Sequence, residues 1–397
     1  MSAARAWTET VERLWPGARV APASSGAPAP GGAVRRELVF LPNAERPRLL
    51  LPAGLPGVAA AALRRYSHDL GPRQRVTRTL GALAARTGLP ERGLRDRLLV
   101  SGGGESVEDH LSDLLGREVV VAVGLGSLRA NRKPILHVLT PDGGSVAFVK
   151  VGDNPTTRGL IADEAAALAT LAGRSLPGVA VPRLLHHGCW GPLGLLVLSA
   201  LPTGARGERP RGDAPLSAMR TLAVSAGPDR SALAGSAYLK RLREVPGRLT
   251  DPVQAERLAG VVDRVGDRHG DVALDFGAWH GDWTPWNMAW HRGVVRLWDW
   301  ERFADGVPHG FDLLHYRLQQ AARTAARSPY QAPPREAAPA LDPLGLTAPA
   351  AAATAELYFL ELCARYLLAA QEPIGGPLRD TAADLLDLLH TEAGRNP

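Results

Sequence analysis

The sequence predicts an α+β chain in three parts, and three observations predict it. Runs of β-branched and aliphatic residues recur between Glu118 and Leu201. Beyond Pro202 the apolar residues fall mostly at helical spacing. The Ser/Gly run Ser101-Gly102-Gly103-Gly104 separates both from an Arg-rich beginning. The expected organisation is therefore a basic accessory domain over 1–117, a β-rich segment over 118–200 and a helical segment over 201–397.

The accessory part opens with a helical stretch from Trp7 to Trp15, followed by a Pro/Gly/Ala/Ser-rich segment from Pro16 to Gly32. Arg36 to Leu41 and Arg48 to Leu51 are short strand-like runs around Pro42-Asn43-Ala44-Glu45-Arg46-Pro47, a turn composition, so a hairpin is expected. Val58 to Val100 reads as two or three Arg-rich helices broken at Gly71-Pro72 and Leu89-Pro90. Ser106-Val107-Glu108-Asp109 has the pattern of a capping box and should start a helix reaching Leu115.

Three antiparallel strands are expected next, at Glu118–Val123, Pro134–Leu139 and Ser145–Val151, with Pro141-Asp142-Gly143-Gly144 as the last turn. Ile161, Ala165, Leu168 and Leu171 then mark a helix over 157–172, and Gly194 to Leu201 another strand. In the remaining, helical part the expected exceptions are short strands around Asn287–Trp290 and Val294–Trp298.

Composition narrows the function. The longest apolar run, Leu193 to Pro202, is half of what a membrane span needs, and no charged-then-apolar leader opens the chain. We therefore expect a cytoplasmic protein with no membrane partner. Cys189 and Cys363 are the two cysteines, far apart and without metal-ligand spacing, which excludes a disulfide framework or a cysteine zinc site. Residues 1–100 carry 16 Arg against 7 acids, whereas 336–397 carry 3 Arg against 9 acids. The basic end suits an acidic partner or the acidic end of the same chain. Without an aromatic-and-basic platform or zinc-finger spacing, nucleic acid is disfavoured.

The chemistry concentrates in His280-Gly281-Asp282-Trp283-Thr284-Pro285-Trp286-Asn287, a short strand pair, and Trp298-Asp299-Trp300-Glu301. Phosphoryl transfer needs a carboxylate to accept or orient a hydroxyl proton, and oxygen ligands for a magnesium ion on the β- and γ-phosphates. Asp282, Asn287 and Asp299 offer those groups, and a β-turn-β connection would bring Asp299 back to the loop. Six of the nine tryptophans lie between Trp279 and Trp300 and read as packing beneath the loops.

This segment resembles the HGDxxxxN catalytic loop, hydrophobic strand and following Asp of the aminoglycoside phosphotransferase and choline kinase family. The resemblance implies a two-lobed, protein-kinase-like α+β fold, with ATP and magnesium as cofactors. It implies Asp282 as catalytic aspartate, Asn287 and Asp299 as metal ligands, and Asp312, in Gly310-Phe311-Asp312-Leu313-Leu314-His315, as a buttress of the loop. It covers about Glu118 to His315; residues 1–117 lie outside it.

Upstream, Val123-Gly124-Leu125-Gly126-Ser127 would let backbone amides approach phosphate oxygens. The third glycine of a dinucleotide-binding pattern is missing and a strand follows, which disfavours that fold. Arg129 to Lys133 departs from the family's hairpin and faces either phosphate or solvent. Lys150 ends an apolar strand and Glu164 lies fourteen residues on in the next helix, the spacing of a kinase-like ion pair. Only three of the 46 basic residues are lysines, so a Lys at that position is informative. In the family reading Lys150 grips the α- and β-phosphates, Glu164 holds it, and backbone groups near Ser199 to Leu201 meet the adenine edge.

The expected function is an ATP- and Mg-dependent phosphotransferase acting on an alcohol group of a small molecule, aminoglycoside-like or an amino alcohol. Glu356, Glu361, Asp380, Asp384 and Asp387 would attract its amines. Two other readings stay open: a peptide Ser/Thr kinase whose acidic substrate docks on 1–117, and a noncatalytic nucleotide-binding scaffold.

Overall fold

In the computed structural model the described residues are 3–23, 33–64, 72–87, 96–125, 133–202, 214–324, 328–372 and 375–394. The chain forms two compact units, Met1–Ala165 with Pro182–Arg206, and Ala166–Val181 with Gly207–Pro397.

The first unit is built on strands β1 (Arg19–Pro22), β2 (Val34–Leu41), β3 (Leu49–Pro52), β4 (Arg97–Ser101), β5 (Val120–Leu125), β6 (Pro134–Leu139), β7 (Ser145–Gly152), β9 (Leu184–Trp190) and β10 (Leu193–Ser199). Among the described residues these make one nine-stranded sheet in the order β1-β4-β2-β3-β5-β6-β7-β10-β9. Neighbouring strands are antiparallel throughout. Strands from the amino-terminal 101 residues thus continue the same sheet as those after Glu118.

One face is covered by helix α1 (Ala3–Leu14), which presents Trp7, Val11 and Leu14 at helical spacing, and by α4 (Val107–Leu115) through Val107 and Leu111. Odd-numbered residues of β7, Ala147, Val149 and Val151, point into this core. On the other face α2 (Pro56–Leu63) packs Val58 and Ala62 on Leu51, Val120, Ala122 and Leu139, with α3 (Pro72–Arg86) beside it. Helix α2 comes so near the β6–β7 turn that a Cβ on Gly57 would lie 2.4 Å from the Asp142 carbonyl oxygen, so only glycine fits.

The capping box forms as expected. Ser106 Oγ accepts from the Asp109 amide at 3.3 Å, and the Asp109 carboxylate accepts from the Ser106 amide at 2.8 Å. Helix α5 (Pro155–Ala172) follows β7.

The second unit contains β8 (Val179–Ala180), α6 (Leu216–Ala223), β11 (Asp229–Ala232), α7 (Ala237–Glu244), α8 (Pro252–His269), β12 (Ala273–Trp279), β13 (Met288–His291), β14 (Val294–Leu297), β15 (Ala304–Pro308), α9 (Phe311–Thr324), α10 (Ala348–Gln371) and α11 (Arg379–Gly394). Helix α10 is buried on almost all sides, with α8, α9 and α11 packed against it. Two small sheets, β11-β12-β15 and β13-β14-β8, carry the loops described below.

The hairpin, the three strands after Glu118 and the β13–β14 pair stand where the sequence puts them. Other segments do not. Arg97–Ser101, read as the end of a helical stretch, is β4, and β11, β12 and β15 lie in a part read as helical. β4, β11 and β15 have four or five residues, too few for a period to separate strand from helix. In β12, burial of Phe276, Gly277, Ala278 and Trp279 in succession erases the alternation that marks a half-exposed strand.

Candidate active site

The loop from His280 to Asn287 joins β12 to β13, and its shape follows from a few fixed points. Gly281 has φ +81°, and a Cβ there would lie 2.1 Å from the Arg302 carbonyl oxygen, so glycine is required twice over. The Asp312 carboxylate, at the start of α9, accepts from the His280 amide at 2.8 Å and from the Gly281 amide at 3.2 Å. Burial is the larger influence on that carboxyl and pushes it up to about 7, against the lowering effect of the two amides. From α10, Arg365 Nη1 donates to the Gly281 carbonyl at 2.9 Å, its guanidinium 4.8 Å from the centre of the Trp279 ring.

His280 is a strut. Its Nδ1 accepts from the Asp282 amide at 3.1 Å, so Nε2 carries the proton and donates to the Trp298 carbonyl at 3.1 Å. Burial lowers its pKa to about 4, outweighing the nearby Asp282 and Asp299 charges, and the ring stays neutral.

Asp282 and Asn287 sit side by side. Asn287 Nδ2 donates to Asp282 Oδ2 at 2.8 Å and to the Asp282 carbonyl at 3.0 Å. The other carboxylate oxygen, Oδ1, lies 3.0 Å from His315 Nε2. The Trp298 amide donates to the Asn287 carbonyl at 3.1 Å, and Met288 pairs with Leu297, so the β13–β14 hairpin returns Asp299 to the end of the same loop. Asp299 has φ 76°, a left-handed conformation uncommon for a non-glycine residue and typical of constrained sites. Because its amide nitrogen is committed to Asp282, Asn287 has its amide oxygen left for a cation. Amide oxygen and carboxylate are the hard donors magnesium prefers, so the pair fits that metal. Of the tryptophans around the loops, Trp279, Trp283 and Trp300 are buried, whereas Trp286, Trp290 and Trp298 are half-buried.

In the first unit Lys150 Nζ donates to Glu164 Oε2 at 2.5 Å, and both residues are buried. Gly124 lies in β5 opposite Ile135, which pairs with Lys150. Gly126, Ser127 and residues 129–132 lie outside the described residues. Two residues before Lys150, on the same face of β7, the Phe148 ring stacks on His137 of β6 with centroids 4.5 Å apart and planes at 12°. This pair lines a cavity of about 380 Å³ together with Arg64, Arg86, Ser145 and the segment Ala200-Leu201-Pro202. Leu201 therefore stands at the cavity. Ser199 has its amide and hydroxyl committed to Arg183, at 2.9 and 2.8 Å.

The carboxyl-terminal acids are mostly engaged within the chain. Glu356 is buried between Arg268 and His269, each at 2.8 Å, Glu361 accepts from the Tyr238 hydroxyl at 3.1 Å, and Asp387 pairs with Arg257 at 2.6 Å. Three of the five acids expected to attract amines thus already have partners.

The structure adds three residues to those chosen from sequence: His315, Tyr358 and Arg365. His315 carried a signal, since it lies one helical turn after Asp312 and so shares its face. Tyr358 and Arg365 carried none, because their contacts to His315 and Gly281 span 43 and 84 residues.

No protein-family model and no curated protein sequence matches the chain. Its fold is similar to solved structures of small-molecule phosphotransferases. A thermostable mutant of aminoglycoside phosphotransferase APH(4)-Ia, in ternary complex with ADP and hygromycin B, is 13% identical, with 74% of this chain and 100% of that one covered and a TM-score of 0.49. Choline kinase LicA from Streptococcus pneumoniae is 15% identical over 71% of this chain and 97% of its own, at 0.43. Macrolide 2'-phosphotransferase MphH from Brachybacterium faecium is 19% identical over 70% and 97%, at 0.41.

Proposed function

We propose that this protein is an ATP- and magnesium-dependent phosphotransferase that moves the γ-phosphate of ATP to a hydroxyl of a small molecule. The observation that carries the reading is the joint placement of Asp282, Asn287 and Asp299 at one loop and the hairpin that follows it. Asp282, whose side chain is 36% exposed, keeps a carboxylate edge for the acceptor hydroxyl, which it orients and whose proton it takes. Asn287 and Asp299 would hold magnesium, which when bound supplies neutralisation of the phosphate charge.

Lys150, oriented by Glu164, is the cation for the nucleotide phosphates. The cavity beside it has the size and lining for a base, with the Phe148 and His137 rings as a stacking surface and backbone at 200–202 for the base edge. No described helix is long and apolar enough to cross a membrane, and the placement proposed is the cytoplasm.

The test is thermal stability with Mg-ATP, with ATP plus chelator, and in an Asp299→Asn variant. Ligand at one hundred times its dissociation constant should stabilise by about 2.7 kcal/mol. A magnesium-dependent rise that the variant lacks supports the reading, and no rise with ATP or GTP overturns it.

A further inference from the structure

We propose that His315 is a positioning residue for Asp282, and that Tyr358, His315 and Asp282 form one line of hydrogen bonds that fixes the carboxylate toward the acceptor. The inference rests on the reading of Asp282 as the group that meets the acceptor hydroxyl.

Tyr358 OH lies 2.9 Å from His315 Nδ1, and His315 Nε2 lies 3.0 Å from Asp282 Oδ1. Tyr358 is fully buried and His315 nearly so, whereas the Asp282 side chain is 36% exposed, so the line runs from the core of the second unit to its accessible surface. Its direction follows from the chemistry of the ends. An ionised carboxylate only accepts, so His315 Nε2 carries the proton and donates. When the ring carries that one proton, Nδ1 is a lone pair and accepts from the Tyr358 hydroxyl. Asp282 therefore selects the tautomer, and Tyr358 holds the ring from its other nitrogen, the logic by which an outer partner orients a working imidazole.

The other oxygen of Asp282 is held by Asn287 Nδ2 at 2.8 Å. With one donor on each oxygen the carboxylate cannot rotate about its terminal bond without breaking one of them. Two donors leave lone pairs on both oxygens for the acceptor hydroxyl. Loss of His315 would free that rotation while Lys150, Asn287 and Asp299 stay in place. The predicted signature is thus a loss in turnover without a matching loss of nucleotide affinity.

Three variants and three measurements test this. His315→Ala should lower kcat for ADP release from Mg-ATP, with water as acceptor, by about 10- to 100-fold, with KM for Mg-ATP within about twofold. His315→Gln should recover most of it, because the Gln amide nitrogen can stand near the place of Nε2 and donate to Oδ1. In protein labelled with ¹⁵N-histidine, NMR should show His315 as the Nε2–H tautomer in the wild type, with the Nδ1 resonance displaced in Tyr358→Phe as its hydrogen bond is lost. An Nδ1–H tautomer in the wild type overturns the line. So does His315→Ala with wild-type kcat, or His315→Gln as impaired as His315→Ala when both unfold at the wild-type temperature. A wild-type protein that neither binds nor turns over nucleotide overturns the phosphotransferase reading and the positioning role with it. A wild type that is active, with unaffected His315 variants, overturns only the positioning role.

Discussion

Lys150 and Asp282 carry opposite charges and are held in opposite ways. Lys150 is buried and ion-paired with Glu164, a carboxylate with no accessible surface. Asp282 is partly exposed and held by an Asn amide and a His imidazole, behind which stand Tyr358, Asp312 and Arg365. A buried ion pair binds its two members to each other's fate, because removing either leaves a desolvated charge. A carboxylate held at a surface by dipolar donors can lose its charge without stranding another. Stability should therefore concentrate at Lys150 and activity at Asp282.

The largest expected effect tests the second half of that contrast. Asp282→Asn should lower phosphoryl transfer by roughly 10²–10⁴-fold while moving the unfolding free energy by no more than about 1 kcal/mol. Steady-state kinetics and urea unfolding on the same preparation would show both, and a variant as active as the wild type would remove Asp282 from the chemistry.

Lys150→Met should cost about 3–5 kcal/mol of stability, and Lys150→Met with Glu164→Leu should recover most of it, since apolar replacement of both partners of a buried pair is often near neutral. A double variant no more stable than the single one would mean that the pair is not what links the two positions.

The loop's supports differ in their response to pH, and in the metal-free protein they do so with opposite sign. Asp312 is raised from 3.8 to about 7 in the folded chain, so its contribution to stability is complete below the unfolded value and is lost as pH rises through 7. His280 is lowered from 6.5 to about 4, so its contribution is complete above 6.5 and is lost as pH falls through 4. Between those limits the two slopes oppose. Asp312→Asn removes one of them, and stability of the variant should climb with pH across that window by about 1.4 kcal/mol per unit more than the wild type's. Parallel slopes in urea unfolding would show that Asp312 does not contribute to the pH dependence in that window.

Gly281→Ala should cost about 1–3 kcal/mol, because a left-handed residue would acquire a Cβ facing the Arg302 carbonyl. Differential scanning calorimetry would register it. The smallest effect is expected at the exposed Arg257–Asp387 pair, where Arg257→Ala should shift stability by no more than about 1 kcal/mol; a larger loss would mean that exposed pairs in the second unit count for more than the contrast allows.

What could be read from the sequence divides along similar physical lines. Asp282, Asn287 and Asp299 were legible because a loop and a hairpin bring them together within eighteen residues. Lys150 and Glu164 were legible because one strand and the next helix carry them. His315 was within reach, one turn beyond Asp312. Tyr358 and Arg365 were not, because the contacts that define them depend on how α10 packs. In the first unit β6 and β7 were legible from their β-branched and aliphatic runs on either side of the Pro141–Gly144 turn; β12 is buried on consecutive residues and looked like any other apolar run. Glu356 and Asp387 were visible as charges, but their arginine partners lie 88 and 130 residues away, so availability to a ligand could not be judged.

The nine-stranded sheet also bears on how the protein can be taken apart. β3 meets β5 through Leu49–Gly124 and Leu50–Val123, and α1 supplies three of the buried residues beneath the sheet, Trp7, Val11 and Leu14, with Trp15 just beyond it as a fourth. A truncation that discarded the amino-terminal strands would strip that cover and turn β5 into an open edge with unpaired amides and carbonyls, a template for pairing with other chains. Shortened forms of this protein should therefore aggregate, and point substitutions on the intact chain are the way to question the basic segment.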